Sequence, residues 1–370
     1  MKFRCERDTL VEALTTAGRA TAGRATTPAA SGGVRMAVDG NDLRVTGTDL
    51  DLTIRVETEV IGLDNGICVV PARLAADIVR SLEPGAVTIE DSDGEVEISA
   101  ARSRFVVRTL PVEDFPVLVE PAGNHVELDT DKFAEALRQV VRAASTDDAR
   151  PLLTGVLITR FGDGIRLVAT DSYRLALRDM TGAEAVPDGV DELLVPARGL
   201  GELQRLIGSS SKEDRPLGLS LADTDATFRV GNTRLTTRLL SGKFPDYQQL
   251  IPPGYPSKLL VGRDAILEAL RRARLLVRDN TTPVRLSMRP GTLEISVSSQ
   301  EVGHESEEID AELDGEETTV AFNPAYLADG IEAVQGDDVL IETTDSSKPS
   351  TVRAPAQEDY RYLLMPVRVS

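Results

Sequence analysis

Cysteine and histidine are nearly missing from this 370-residue chain, which has two of each. Cys5 and Cys68 lie in or beside apolar runs, so no disulfide framework is expected and a reducing cytoplasm fits. No residues show metal-ligand spacing. His125 falls in a linker and His304 beside an acidic strand, neither within a nucleophile motif. Most nucleophile–base–orienter arrangements use a histidine base, so that class of catalysis loses its usual partner. There is no Gly-rich phosphate loop ending in Gly-Lys-Ser/Thr, and no G-x-G-x-x-G after a strand. Asp91-Ser-Asp-Gly-Glu95 lacks the spaced glutamate of an EF-hand and reads as a hairpin turn. Asp147-Asp148 reads as a solvated pair after a helix. No enzyme class survives on residue types, and no cofactor or metal is expected. Apolar runs stop well short of the roughly eighteen residues of a membrane span. The opening Met1-Lys-Phe-Arg-Cys-Glu-Arg7 lacks the apolar core of a signal peptide. A soluble cytoplasmic protein with no membrane partner is the expectation.

Positive charge is also scarce. Lys+Arg number 41 against 60 Asp+Glu, a net charge of −19. Taken whole, this opposes nonspecific adhesion to nucleic acid or an anionic membrane. The distribution is uneven, however. Arg73 and Arg80 follow Pro71, and Arg198 and Arg205 follow Pro196. Lys132, Arg138 and Arg142 flank another apolar stripe, and Arg263, Arg271, Arg272, Arg274 and Arg278 a third. The acid gathers instead in hairpins and strands, at 90–95, 305–310 and 312–317. Any one basic helix face is explained by solvation; four basic helices of six in so acidic a chain point further.

What the chain has in abundance is itself. Three degenerate copies of one unit recur at about 125 residues. Asp8-Thr-Leu-Val-Glu-Ala-Leu returns from Asp131 and from Asp264, at offsets of 123 and 133. Val70-Pro-Ala-Arg-Leu74 returns as Val195-Pro-Ala-Arg-Gly199 and Phe322-Asn-Pro-Ala-Tyr326, with prolines 125 and 128 apart. Gly47-Thr-Asp-Leu50 ends a β run, as does Ala169-Thr-Asp-Ser172, with a weaker echo at Val297-Ser-Ser299. Repeats of this length are domains, not solenoid turns. Pro/Gly-bearing stretches at 119–124 and 251–256 place the boundaries, giving domains 1–121, 122–252 and 253–370.

Each copy reads strand, helix, alternating strands, second helix, further hairpins. Asp8, Asp131 and Asp264 are expected as N-caps, and Pro71, Pro196 and Pro324 in first helical turns. Phe133, Leu137, Val140, Val141 and Ala144 form one apolar stripe, and Ile266, Leu270, Ala273 and Val277 another. Two one-faced helices per copy need a sheet to cover them, so the fold class is α+β, three times over.

These features resemble a known family. Met1-Lys-Phe3, Ala169-Thr-Asp-Ser-Tyr-Arg-Leu-Ala176, Phe244-Pro-Asp-Tyr247, Ala321-Phe-Asn-Pro-Ala-Tyr326 and Tyr362-Leu-Leu-Met-Pro-Val-Arg368 are similar, in order and spacing, to the bacterial DNA polymerase III β subunit, the sliding clamp, in its actinobacterial form. The likeness runs over essentially the whole chain. It implies three similar clamp domains, two helices on antiparallel sheets in each, in a head-to-tail homodimeric ring around double-stranded DNA. By matching position it implies Arg24, Arg73, Arg80, Arg138, Arg142, Arg150 and Arg198 as DNA-facing. It places Phe105 and Val107 against Leu275 and Leu276 at the subunit seam, with Arg102 and Arg104 set to meet Glu305 or Glu307. Alternation alone equally allows Phe105 and Val107 to be core.

The resemblance further implies a pocket for short linear peptides of the DNA polymerase III α subunit, the clamp loader and other clamp-binding proteins, and for cyclic-peptide inhibitors. Carried over, it comprises Leu153, Thr170, Ser172, Tyr173, Arg174, Leu175, Pro245, Gln249, Leu250, Asn323, Tyr326, Leu363, Met365, Pro366, Val367 and Arg368. Gln249 stands where arginine is frequent, Thr281 where an aromatic sits in relatives, and Ala29-Ala-Ser-Gly-Gly33 replaces a more apolar strand. These departures keep open a paralogous clamp that resists a pocket-directed inhibitor. A three-domain scaffold with no DNA role is the remaining alternative.

Overall fold

The computed structural model describes residues 1–21, 32–116, 125–182, 190–210, 216–277, 282–299 and 301–368. Arg24, Thr281 and residues 29–31 lie outside these.

Six α-helices occur among the described residues: α1 (Arg7–Gly18), α2 (Ala72–Ser81), α3 (Thr130–Val140), α4 (Ala197–Ser209), α5 (Arg263–Ala273) and α6 (Pro324–Ala333). One burial pattern explains most of them. Leu10, Ala13, Leu14 and Ala17 are buried in α1; Ala72, Ala75, Ala76 and Val79 in α2; Phe133, Ala136, Leu137 and Val140 in α3; and Ile266, Ala269, Leu270 and Ala273 in α5. Each set has the i, i+3, i+4, i+7 spacing of a single helical face. The small second member lets the helix approach what it covers.

The helix starts differ from expectation. Asp8, Asp131 and Asp264 take the second helical position rather than the cap. The preceding strand runs straight into the helix, with extended Glu6 and Gly262 as caps of α1 and α5. The aspartates then face the unsatisfied N–H groups and positive end of the first turn. Pro71 and Pro196 likewise end strands ahead of α2 and α4, and only Pro324 lies inside a first turn. Asn323 is the equivalent of Pro71 and Pro196, so the third copy is shifted by one residue from the proline alignment. Asn323 caps α6 by accepting from the Ala325 and Tyr326 N–H groups at 2.9 and 3.2 Å.

Compactness divides the chain into two units. The first is Met1–Thr130 with Gly201–Leu239, and the second Asp131–Leu200 with Leu240–Ser370. Each unit therefore joins one copy to part of the second, and each does so through a sheet. In the first unit an eight-strand sheet crosses from Thr233–Arg238 to Leu52–Glu59, pairing Thr237 with Leu52. In the second, a twelve-strand sheet crosses from Tyr360–Leu364 to Arg174–Met180, pairing Leu364 with Arg174. A five-strand sheet in the first unit ends on Ser103–Arg108.

The two crossings are built alike. Before each, a loop starts at a threonine, Thr48 or Thr170, paired with Thr53 or Leu175. Beyond each, Arg238 N–H donates to the Asp51 carbonyl and Met365 N–H to that of Tyr173, both at 2.9 Å. Returning chain then caps the strand ahead of the second helix of each copy: Leu110 on Val69, Leu240 on Leu194, and Val367 on Ala321, at 2.8, 2.9 and 2.8 Å. These three bonds fix the registration of the copies.

In α6 the backbone approaches Tyr362 closely at Gly330, where an added Cβ would fall against the ring. Gly330→Ala is expected to destabilise the chain by about 1–3 kcal/mol through overpacking, despite the ~1 kcal/mol that alanine gains over glycine in a helix. Urea denaturation at equilibrium measures this, and a raised midpoint would contradict it.

Candidate partner-binding site

The second unit holds a short loop whose own side chains set its shape. Thr170 Oγ1 donates to the Arg174 carbonyl at 2.7 Å and accepts from Ser172 N–H at 3.2 Å. Asp171 Oδ1 accepts from the N–H groups of Tyr173 and Arg174 at 2.9 and 3.0 Å. Such aspartate-to-backbone turns tolerate a left-handed residue, and Ser172 has φ 80°. A non-glycine residue held there carries strain, which persists only where the surroundings over-determine it.

Arg174 supplies that surrounding. Its guanidinium meets Asp171 Oδ2 at 3.0 Å and Asp329 Oδ2, from α6, at 2.5 Å. It also donates to the Arg142 carbonyl at 2.5 Å and the Tyr362 hydroxyl at 3.3 Å, and lies 4.2 Å from the Tyr326 ring centroid. Burial works against the charge, but the Tyr362 hydroxyl and the Asp329 and Asp171 carboxylates outweigh it, leaving the pKa above the ordinary arginine value. Burial also raises the Tyr362 phenol well above its usual range. Its hydroxyl donates to the Tyr326 carbonyl at 2.8 Å. Arg174 is thus a hub joining the loop, α6 and the C-terminal strand, more than a group facing outward.

Around this hub the structure gathers many of the expected residues. Leu175 and Leu363 pair across strands and are buried with Phe244 and Tyr247 in one apolar cluster. That cluster fixes the 244–251 segment bearing Pro245, Gln249 and Leu250. Tyr173, 59 % exposed, stacks near Tyr326 with centroids 6.5 Å apart. Met365 and Leu250 are exposed, Leu153 is buried, and Pro366 and Val367 are half-buried. Gln249 is tied to Asp246 at 2.7 Å. Arg368 is exposed. Asp171, Asp329 and Tyr362 were not anticipated as site residues. The Thr-Asp motif could have indicated the first; the other two lie 155 or more residues from Arg174 with no local signal.

The first unit contains the same loop without the same surface. Leu50 N–H binds Thr48 Oγ1 at 3.1 Å, Asp51 and Leu52 N–H bind Asp49 Oδ1 at 3.2 and 2.9 Å, and Leu50 has φ 82°. Yet Asp51 replaces Tyr173, buried Leu52 replaces Arg174, and Arg238 replaces Met365. An exposed apolar surface over a charged hub therefore forms at only one of the two crossings.

The arginines expected to face DNA fall into two groups. The Arg73 side chain is 96 % exposed, with Asp77 at 3.8 Å, and Arg198 is exposed. Arg80 is half-exposed and binds Asp77 at 2.9 Å and Thr15 at 3.1 Å. Arg138 is more committed: it grips Glu135 and donates to the Glu332 and Ala333 carbonyls at the negative end of α6, at 3.0 and 2.9 Å. Arg142 meets Glu332 at 2.8 Å, and Arg150 meets Asp147 at 3.1 Å.

Of the seam candidates, Phe105 is 38 % exposed while Val107 is buried. Val106, unanticipated, is half-exposed, and Leu275 is 81 % exposed with Leu276 half-buried. Arg104 binds Glu97 at 2.7 Å, and Arg102 is exposed. Glu307 binds Arg272 at 2.5 Å, which lowers its pKa. Glu305 has a buried carboxylate oxygen without a hydrogen-bond partner among the described residues. Burial, then the charge of Glu307, raises its pKa.

Among the described residues no cluster of His, Cys, Asp or Glu is placed to hold a metal, and no helix is long and apolar enough to cross a membrane. A thrice-repeated two-helix α+β unit, joined edge to edge, is the build of a DNA clamp. The chain matches the N-terminal, central and C-terminal domains of the DNA polymerase III beta subunit over residues 1–119, 127–246 and 248–368, and it belongs to that family of non-enzymatic sliding clamps. It is 35 % identical to the beta sliding clamp of Streptomyces coelicolor over 377 residues, covering all of both chains. Among solved structures it is similar to the Bacillus subtilis sliding clamp, at TM-score 0.91 and 29 % identity, again over all of both chains. The clamp of Bartonella birtlesii bound to griselimycin is similar at TM-score 0.92 and 29 % identity, with the same coverage.

Arg174→Met is expected to cost about 3 kcal/mol or more, because it leaves Asp171 and Asp329 facing each other without their shared cation. Denaturant unfolding of the full chain checks this, and a loss under about 0.5 kcal/mol, as at an ordinary surface site, would refute the hub.

Proposed function

We propose that two copies of this chain close head to tail into a ring around double-stranded DNA. The ring tethers the polymerase III α subunit, the clamp loader and other proteins carrying a clamp-binding peptide, and it works in the cytoplasm. The observation that carries this is a matched pair of unused strand edges. Two crossings of one design occur within the chain, and three repeats call for a third. Among the described residues Ser103–Arg108 pairs on one side only, with Glu95–Ala100. Residues 303–310 of Gly303–Asp314 pair on one side only, with Thr292–Ser299; Ser257–Gly262 takes just Ala311–Asp314. An apolar edge left open invites pairing with another chain, and a second copy offers the complementary edge.

The internal crossings also give the register. Ser298 pairs with His304 as Thr48 does with Thr53, so Gly303 corresponds to Leu52 and Arg174. Leu110 corresponds to Leu240 and Val367, so Val107 corresponds to Thr237 and Leu364. Val107 then lies opposite Gly303, Phe105 opposite Glu305 and Arg104 opposite Ser306 of the partner subunit; a Glu305 carboxylate oxygen has no hydrogen-bond partner among the described residues. Phe105 and Val106 would be covered there together with Leu275 and Leu276.

The domains of this ring are 1–121, 122–252 and 253–370. The three family matches support the division, with the third beginning at 248. Arg73, Arg80 and Arg198, with Arg24, Arg138, Arg142 and Arg150, face phosphate. Contact to backbone without base edges permits sliding, and attraction that depends on counterion release weakens with salt. The hub site takes the peptide: Thr170–Leu175, Asn323, Tyr326, Leu363 and Met365–Arg368 with Leu153, Pro245, Gln249 and Leu250 offer an apolar wall and few polar groups. Exposed, unbranched Met365 adapts to varied side chains. Cyclic-peptide inhibitors fit the same wall, as the griselimycin-bound relative suggests. No observation favours the paralogue or the scaffold.

Both native cysteines are free and buried, and burial pushes the Cys68 thiol up to about 12, so new thiols can be read cleanly. A chain with Arg104→Cys and Ser306→Cys is expected to cross-link to a two-chain species on oxidation. Arg104→Cys with Asp310→Cys, about 13 Å further along the strand, is not. A native mass of one chain at micromolar concentration would refute the ring outright. Retention on nicked circular DNA with loss on linearisation tests encirclement; equal loss from both forms would refute it.

A further inference from the structure

Within the second unit, Arg174 and Arg142 share a carboxylate. Asp329 Oδ2 meets Arg174 at 2.5 Å, and its Oδ1 lies 3.7 Å from Arg142. Arg142 also meets Glu332 at 2.8 Å, one turn further along α6. A second link runs through backbone. The Arg142 carbonyl, in the turn Val141–Ala143, accepts from Arg174 at 2.5 Å. One guanidinium therefore holds both the main chain that carries Arg142 and the aspartate on which Arg142 leans.

The two ends of this chain of contacts differ in exposure. The Arg174 side chain is 10 % exposed and that of Arg142 55 %. An exposed ion pair is weak and readily exchanged, whereas a buried cation keeps its partners. Phosphate oxygens compete for a guanidinium because they accept the same paired N–H donors as a carboxylate. Arg142 thus has two places to go, the carboxylates of α6 or a phosphate. Its departure alters the hub. Asp329 is left to Arg174 alone, and phosphate cancels the like charge that Arg142 sets beside Arg174. The hub contacts hold the Thr170–Arg174 loop with Ser172 at φ 80°, and Tyr173 and Tyr326 lie against them. A more firmly held loop leaves less freedom for an incoming peptide to remove.

We propose that Arg142 couples the two surfaces. Phosphate drawn to Arg142 tightens the Arg174 hub, so duplex DNA raises the affinity for a peptide. By linkage a peptide raises the affinity for DNA by the same factor. The coupling rests on the DNA-facing and peptide-binding assignments made above.

A labelled, end-capped peptide bearing Leu and Phe is titrated into the full chain by fluorescence anisotropy, with and without a saturating short linear duplex. Duplex is expected to tighten peptide binding about threefold, the scale of a half-exposed ion pair exchanged. Arg142→Ala should show the tighter affinity with no DNA present, and duplex should add nothing further. Arg142→Lys, which keeps the charge, should keep both the weaker starting affinity and the response to duplex. In the unsubstituted chain, hydrogen exchange at the Tyr173 and Arg174 N–H groups should slow when duplex is added. Two results would overturn the coupling while leaving the surfaces intact, provided both probes bind: an unsubstituted chain that ignores duplex, or an Arg142→Ala chain with unchanged DNA-free affinity. Failure of either probe to bind at all overturns the surface assignments together with the coupling.

Discussion

Backbone pairing between repeats is the constraint on which the rest depends. A strand edge carries a row of donors and acceptors that must be matched, and each repeat here ends on a strand that its own sheet does not complete. Thr233–Arg238 is completed by Leu52–Glu59, and Tyr360–Leu364 by Arg174–Met180. Compact units therefore cut through the second repeat. Ser103–Arg108 has no counterpart of this kind within its sheet, and the same requirement that joins the repeats asks for a second chain.

The surface around Arg174 is a by-product of one crossing made special by three side chains. Both crossings hold a left-handed residue in a threonine–aspartate loop. Where Leu52 follows, the loop rests on ordinary core. Where Arg174 follows, a cation must be satisfied away from water, and Asp171, Asp329 and Tyr362 converge on it. The aromatic rings of Tyr173 and Tyr326 are thereby brought side by side. Specificity in this protein arises from divergence between copies laid on identical backbone.

Charge is handled in the same divided way. Arginines on the helices are partly spent on carboxylates and helix ends, as Arg138 and Arg142 show, while Arg73 stays almost fully exposed. A surface built so attracts phosphate weakly at many points. Weak, distributed attraction suits a protein that must stay on DNA yet move along it.

Periodicity by itself determined that there are three copies, two one-faced helices in each and strands to cover them, because burial patterns are local and repeat every turn. The Thr-Asp loops and the basic helices were equally legible, and motif position picked out many of the residues that gather around Arg174. Other features needed the tertiary structure. Pro71 and Asn323 proved equivalent only through returning backbone bonds from Leu110 and Val367. Val107 was core while Phe105, on the same face, stayed part-exposed, which alternation could not distinguish. The pairing of Arg174 with Asp329 spans 155 residues, and no local preference encodes it. Sequence fixes what each segment buries; only the folded chain decides which segments meet, since that depends on loop paths and on matching edges far apart along the chain.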